Sequence, residues 1–154
     1  MTKRYYLAYG SNLNQGQMQW RCRGAVPLGT AEIKNYRLLF KGSQTGAHLT
    51  IEEEPGCSVP VAVWAVTAAD EARLDRYEGF PRFYYKKELE ITYKGISSGK
   101  KLRVAAFVYI MHEDRPLGIP TQHYMDVCRK GYKDFGFDES ILRTTLANSM
   151  EGMG

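Results

Sequence analysis

The chain is poor in cysteine. Its 154 residues include three, Cys22, Cys57 and Cys128. An odd count at wide spacing, with no CxxC, argues against a disulfide framework and a zinc knuckle. Cys128 falls at an apolar helical position and reads as core. The histidines are also few. His48, His112 and His123 are scattered, and none pairs with another His or a Cys at metal-ligand spacing. No metal site is expected. No apolar run approaches the ~20 residues that a membrane helix needs. The charged start, Met1-Thr2-Lys3-Arg4, has no signal-peptide hydrophobic region behind it. A cytoplasmic protein with no membrane partner is the expectation. There is no GxGxxG, no P-loop and no G-x-S-x-G, and no internal repeat or low-complexity stretch.

What is present is ordinary in amount. Hydrophobic residues make up 44% and charged residues 25%, as in a globular protein. The length suits one domain over 1–154 with a single core. The net charge of +4 is spread along the chain. Its densest patches, Lys86-Lys87 and Lys100-Lys101-Leu102-Arg103, read as solvated strand faces or edges and not as a nucleic-acid surface. The mild positive balance is compatible with small anionic substrates. Oligomeric state is not legible.

The pattern along the chain predicts strands at 4–9, over 25–41 (one or two), at 47–53, 59–66, 83–94 and 102–111. It predicts helices at 14–23, from the Thr67 cap to about Tyr77 or Glu78, at 121–131 and at 138–149, the last with Asp138 as its cap. Glu54-Pro55-Gly56-Cys57 reads as a type II turn. Val61, Val63 and Ala65 alternate with Ala62, Trp64 and Val66, so that strand is apolar on both faces and belongs at the centre of the fold. Gly79 and Pro81 stop the Thr67 helix. Several strands on short turns, with few helices between them, indicate an α+β fold. They do not fit a doubly wound one.

Two places carry chemistry. Tyr5-Tyr6-Leu7-Ala8-Tyr9-Gly10-Ser11-Asn12-Leu13 reads as a strand, a tight turn and a helix start. Gly10 leaves room for a ligand, and Ser11 and Asn12 are good N-cap residues. The N–H groups of such a turn suit a carboxylate or an oxyanion, although the same residues also build ordinary loops. Glu78 is the second. It lies four residues beyond the core-facing Leu74, about 40° around the helix from it. It also sits at the helix C-terminus, where the dipole disfavours negative charge. Both effects raise a carboxyl pKa. Taken singly, it could equally be a surface residue on a frayed turn. Tyr77, Phe80, Phe83, Tyr84 and Tyr85 could wall it. Glu71, Asp75, Glu88, Glu90, Glu52, Glu53 and Glu54 read as solvated.

Tyr9-Gly10-Ser11-Asn12-Leu13 after a short strand, followed much later by Leu74-Asp75-Arg76-Tyr77-Glu78-Gly79 and Phe83-Tyr84-Tyr85, resembles the γ-glutamylcyclotransferase superfamily, γ-glutamylamine cyclotransferase-like proteins included. The Val61–Val66 strand, Val108-Tyr109-Ile110 and the Tyr124 to Gly136 region extend the resemblance over roughly residues 5–145. It implies a small mixed β-barrel-like sheet flanked by helices. The implied reaction converts a γ-glutamyl amide or peptide, a small molecule, to 5-oxoproline and a free amine or amino acid, without a cofactor. Glu78 would be the general acid/base. Gly10, Ser11, Asn12 and Leu13 would hold the glutamyl carboxylate or the γ-carbonyl, and Tyr9 would shape the turn. Tyr84 or Tyr85, and Tyr109, would contact substrate. Leu89 and Ile91 share the parity of Tyr85, which favours Tyr84 for the cleft. Gly79-Phe80-Pro81-Arg82 would bear on the leaving group. Two other readings stay open: a non-catalytic small-ligand binding protein, and a γ-glutamyl amide hydrolase that releases glutamate.

Overall fold

The structure, a computed structural model, describes residues 3–154. The start of the charged N-terminal segment, Met1-Thr2, lies outside the described residues. Five strands close into a barrel in the order β1-β3-β2-β4-β5: β1 Arg4–Ala8, β2 Val26–Lys41, β3 His48–Val66, β4 Tyr84–Gly95 and β5 Lys101–Met111. Neighbours pair antiparallel except β1 and β5, which close the barrel in parallel through Tyr5↔Ala106 and Tyr6↔Phe107. The helices are α1 Gln15–Arg21, α2 Ala68–Glu78, α3 Gln122–Phe135 and α4 Ser140–Met153, with a 3₁₀ turn at Ser11–Leu13. This is the α+β class that the sequence pattern indicated, in the form of the barrel with flanking helices that the resemblance implied. Among the described residues, no helix is long and apolar enough to cross a membrane.

The two-faced apolar strand is central. β3 pairs with β1 on one side and β2 on the other, and residues 61–66 are all buried. The 25–41 stretch holds one strand, Val26–Lys41, not two. The Pro55-Gly56 turn is corrected: β3 runs unbroken through it. The register shifts there, so that residues 54–57 lie opposite Asn35 alone. This is a bulge. Gly56 has φ +87° and Asn35 φ +64°, and the Gly56 N–H is held by Asn35 Oδ1 at 3.1 Å. Gly56 does supply the left-handed backbone, but long pairing on both sides of it overrides the reversal.

The start of α1 is also corrected. Ser11 and Asn12 lie inside the 3₁₀ turn, and Asn14 caps α1 by accepting from Gln17 N–H at 3.0 Å. In α4 the assigned cap is Glu139, yet Asp138 Oδ1 accepts from Ser140 N–H at 2.9 Å and supplies the cap bond expected of it.

Helix α2 is fixed at both ends. Thr67 Oγ1 accepts from Asp70 N–H (3.1 Å), and Asp70 Oδ2 accepts from Thr67 N–H (3.2 Å), a reciprocal capping box. At the far end, Gly79 adopts φ +65° and Phe80 N–H reaches Asp75 O at 2.9 Å. That Schellman closure makes Glu78 the last helical residue, immediately before the chain reverses. Thr67→Ala removes an N-cap beside the nearly inaccessible Asp70. It should cost about 1–2 kcal/mol, read as a lower denaturant midpoint at unchanged slope.

Candidate active site

One cavity of about 180 Å³ opens between the end of α2, the turn after β1, and the N-terminal parts of β3, β4 and α3. The sequence candidates Tyr9, Gly10, Ser11, Asn12, Glu78, Tyr84 and Tyr109 line it. Strands β1, β4 and β5 bring the tyrosines to it, α2 brings the carboxylate, and the 3₁₀ turn brings the backbone. Two candidates lie elsewhere. Leu13 has no accessible surface and sits in the core. Its N–H is spent on Gly10 O at 3.0 Å, because a 3₁₀ turn bonds its third residue back to the residue before it. Tyr85 points to the opposite face of β4, where it donates to Glu113 Oε2 at 2.5 Å and packs beside His112. The parity argument for Tyr84 agrees with this geometry.

The turn differs from the expected helix start but still leaves its first donors without a partner inside it. Its internal bonds run from Leu13 N–H to Gly10 O and from Asn14 N–H to Ser11 O. The first N–H groups of such a turn have no partner within it. Gly10 has φ −124°, so space and not left-handed backbone explains it. A Cβ there would come within 3.2 Å of Tyr124 Oη and 3.5 Å of Leu49 Cβ.

Side chains hold the turn in place. Arg21 donates to Asn12 Oδ1, and Asn12 Nδ2 donates to Tyr6 Oη at 2.9 Å. Both ends of the Asn12 amide are thereby assigned. The Arg21 guanidinium also lies 3.5 Å from the Tyr77 ring centroid, and Tyr77 Oη meets Ser11 Oγ at 3.2 Å.

Glu78 is reachable from the cavity. Among the described residues, none hydrogen-bonds or ion-pairs with its carboxyl. The protein packed around it pushes its pKa up to about 7, and the Arg21 charge partly opposes this. Burial keeps Tyr6, Tyr9, Tyr84, Tyr109 and Tyr124 protonated, and the Glu78 charge adds to the effect in each. A carboxyl poised near neutrality among five neutral phenols can accept and return a proton.

Sequence reasoning missed part of the wall. Tyr6, His48, Leu49 and Tyr124 line the cavity, together with Tyr77 and Phe83, whereas Phe80 does not. Tyr6 had a signal, since it precedes the turn on the same strand. Tyr124 had none, because only folding brings α3 to β1. Three solvated assignments also fail. Asp75 accepts from Tyr109 Oη at 2.6 Å and pairs with Lys86 at 2.8 Å; Glu71 pairs with Lys86 at 2.6 Å; and Glu52 pairs with the buried Lys41 at 2.6 Å. Lys86 is correspondingly not a solvated strand lysine. Opposite charges meeting across elements lie outside what a linear pattern encodes.

The sequence matches the family described as gamma-glutamyl cyclotransferase, AIG2-like, over residues 6–126. No curated protein sequence matches it. A solved structure described as a gamma-glutamyl cyclotransferase is similar at 24% identity, with a TM-score of 0.79 over 94% of this chain and 86% of that one. An uncharacterized protein from Homo sapiens is similar at 25% identity and a TM-score of 0.79, over 94% and 87% of the two chains. A yeast cyclotransferase described as specific to glutathione shares the fold at 10% identity and a TM-score of 0.62, over 99% and 97%. Every residue lining the cavity, from Tyr6 to Tyr124, falls inside the matched stretch, and the chain belongs to the gamma-glutamyl cyclotransferase, AIG2-like family.

Proposed function

We propose that the protein converts a γ-glutamyl amide to 5-oxoproline and a free amine, with Glu78 as the general acid/base. The observation that carries this reading is the convergence of Glu78 with the Gly10–Asn12 turn on one small cavity. The Glu78 carboxylate takes a proton from the substrate α-ammonium. The freed amine attacks the γ-carbonyl carbon, and the carbonyl oxygen gains the charge. The C=O then reforms as the amide C–N bond breaks, Glu78 returns its proton to the departing amine, and the second proton of the attacking nitrogen also passes to that amine, leaving the lactam N–H of 5-oxoproline and an ammonium. Backbone N–H groups of the turn are suited to the substrate's anionic oxygens. A substrate held folded for ring closure supplies much of the remaining acceleration.

The test is a panel of γ-glutamyl amino acids, γ-glutamyl-ε-lysine and glutathione, with products read by mass spectrometry. Release of 5-oxoproline supports the reading. Free glutamate points to a hydrolase, and binding without any product to a binding protein. The base must be ionised in the free enzyme. kcat/KM should therefore rise with pH through the Glu78 pKa of about 7 and level off above it. An unperturbed carboxyl would give a profile already flat by pH 6, and that result would count against Glu78 as the base.

A further inference from the structure

The hydroxyls around Glu78 differ in where their protons go. A phenol has one proton to donate and lone pairs to accept with. Tyr9 Oη donates to Tyr109 O at 2.7 Å, Tyr84 Oη to Leu49 O at 2.8 Å, and Tyr109 Oη to Asp75 Oδ1 at 2.6 Å. Tyr124 Oη accepts from Leu49 N–H at 3.0 Å, and its hydroxyl is also hydrogen-bonded to Cys128. Ser11 and Tyr77 share one bond with each other at 3.2 Å, and Tyr77 is half exposed. Tyr6 differs from all of these. It is buried, and its oxygen accepts from Asn12 Nδ2 at 2.9 Å. Among the described residues, none accepts its proton.

Arg21 forces this arrangement. A guanidinium carries donors and no acceptor. Its bond to the Asn12 side chain must therefore be received by Oδ1. Only the amide nitrogen is then left for Tyr6, and that group can only donate. Tyr6 has to accept on that side and keeps its proton for another partner. Its ring is fixed by stacking on Phe107 at 5.4 Å and by an edge contact with Tyr109 at 5.8 Å. Arg21 is held in turn by Gln17 Oε1 at 3.2 Å and by the face of the Tyr77 ring. No charge acts on the Tyr6 hydroxyl more strongly than that of Glu78, so the spare proton lies close to the base.

We infer that Tyr6 is a side-chain donor to an anionic oxygen of the ligand, and that Asn12 and Arg21 are the positioning residues that keep its proton available. The inference rests on the reaction proposed above. There the γ-glutamyl unit brings two kinds of such oxygen: its carboxylate, and the γ-carbonyl oxygen that gains charge on attack. The recognition chemistry is the same for both, and the test separates them.

Tyr6→Phe removes only the hydroxyl. Asn12→Asp keeps the shape of the side chain and its bond with Arg21, but it offers Tyr6 an acceptor in place of a donor. The phenol proton then turns away from the cavity. Each variant should lose about 10–100-fold in kcat/KM on the γ-glutamyl panel, as expected of a hydrogen bond to a charged group. Rates are compared well above the Glu78 pKa, so that a shift in it does not enter. The double variant should lose less than about threefold more, because Asn12 acts through Tyr6. Calorimetry on the Glu78→Gln protein identifies the oxygen. Weaker binding once Tyr6→Phe is added assigns the donor to the carboxylate, and unchanged binding with a reduced kcat assigns it to the carbonyl oxygen. Activity within about twofold of wild type in either variant, or additive losses, would overturn the inference. If the wild type releases no 5-oxoproline, the proposed reaction fails and the donor is judged on binding alone. Equal affinity with and without the Tyr6 hydroxyl, or no binding at all, then overturns it.

Discussion

Glu78→Gln is expected to lower kcat by about 10²–10⁴-fold, since a positioned acid/base contributes that much. The amide keeps the size of the carboxyl but can neither remove the ammonium proton nor protonate the departing amine. Stability should move the other way. The folded protein holds the Glu78 proton up to about pH 7, whereas the unfolded chain releases it near 4.5. Between those values the native state binds more protons, so wild-type stability falls as pH rises through the window and stays lower above it. Glutamine carries no such penalty. The variant should therefore be the more stable protein at pH 8, by up to about 3 kcal/mol, and the two should converge near pH 4. Denaturant melts at both pH values, run beside the turnover assay, check this. Low activity in a protein more stable than wild type excludes misfolding as the cause. Retained turnover in that variant would remove Glu78 from the mechanism.

Gly131→Ala is expected to damage both fold and activity, although helix propensity alone argues the opposite. Within α3, Ala is better than Gly by about 1 kcal/mol. Yet a Cβ at Gly131 would sit 2.6 Å from Asn14 N and from Leu13 Cβ, and 2.7 Å from Leu13 C. Two of those atoms are backbone and cannot rotate aside. Either α3 or the 3₁₀ turn must shift, at an overpacking cost of about 1–3 kcal/mol. The turn carries the donors of the cavity, and α3 carries Tyr124. A displacement near 1 Å at such a site can cost about 10²-fold in rate. A lower melting midpoint with a similar drop in kcat/KM is the expected pair of results. A stabilised and fully active variant would mean that the contact yields freely.

Much of the fold is legible in local pattern. The buried 61–66 strand, the capped and stopped α2, and the parity separating Tyr84 from Tyr85 all follow from periodicity and cap chemistry. The misplacements share one cause. Pro55-Gly56 carries sound turn chemistry, but the long β2–β3 pairing absorbs it as a bulge. Leu13 belongs to a functional-looking motif, but the 3₁₀ bond and α3 packing send it to the core. Asp75 and Glu71 look like solvent-facing helix carboxylates until β4 brings Lys86 to them and β5 brings Tyr109 to Asp75.

The sequence by itself determined most of the elements, the α+β class and the two segments proposed to carry the chemistry. Those depend on neighbours a few residues apart, where backbone preference and side-chain period act. Tertiary structure alone decided that the two segments share one cavity and that its wall is completed by His48, Leu49 and Tyr124. It also decided that Tyr84 donates to Leu49 O and Tyr109 to Asp75 Oδ1. Those outcomes depend on burial and on hydrogen-bond partners from distant strands, and neither exists until the barrel closes.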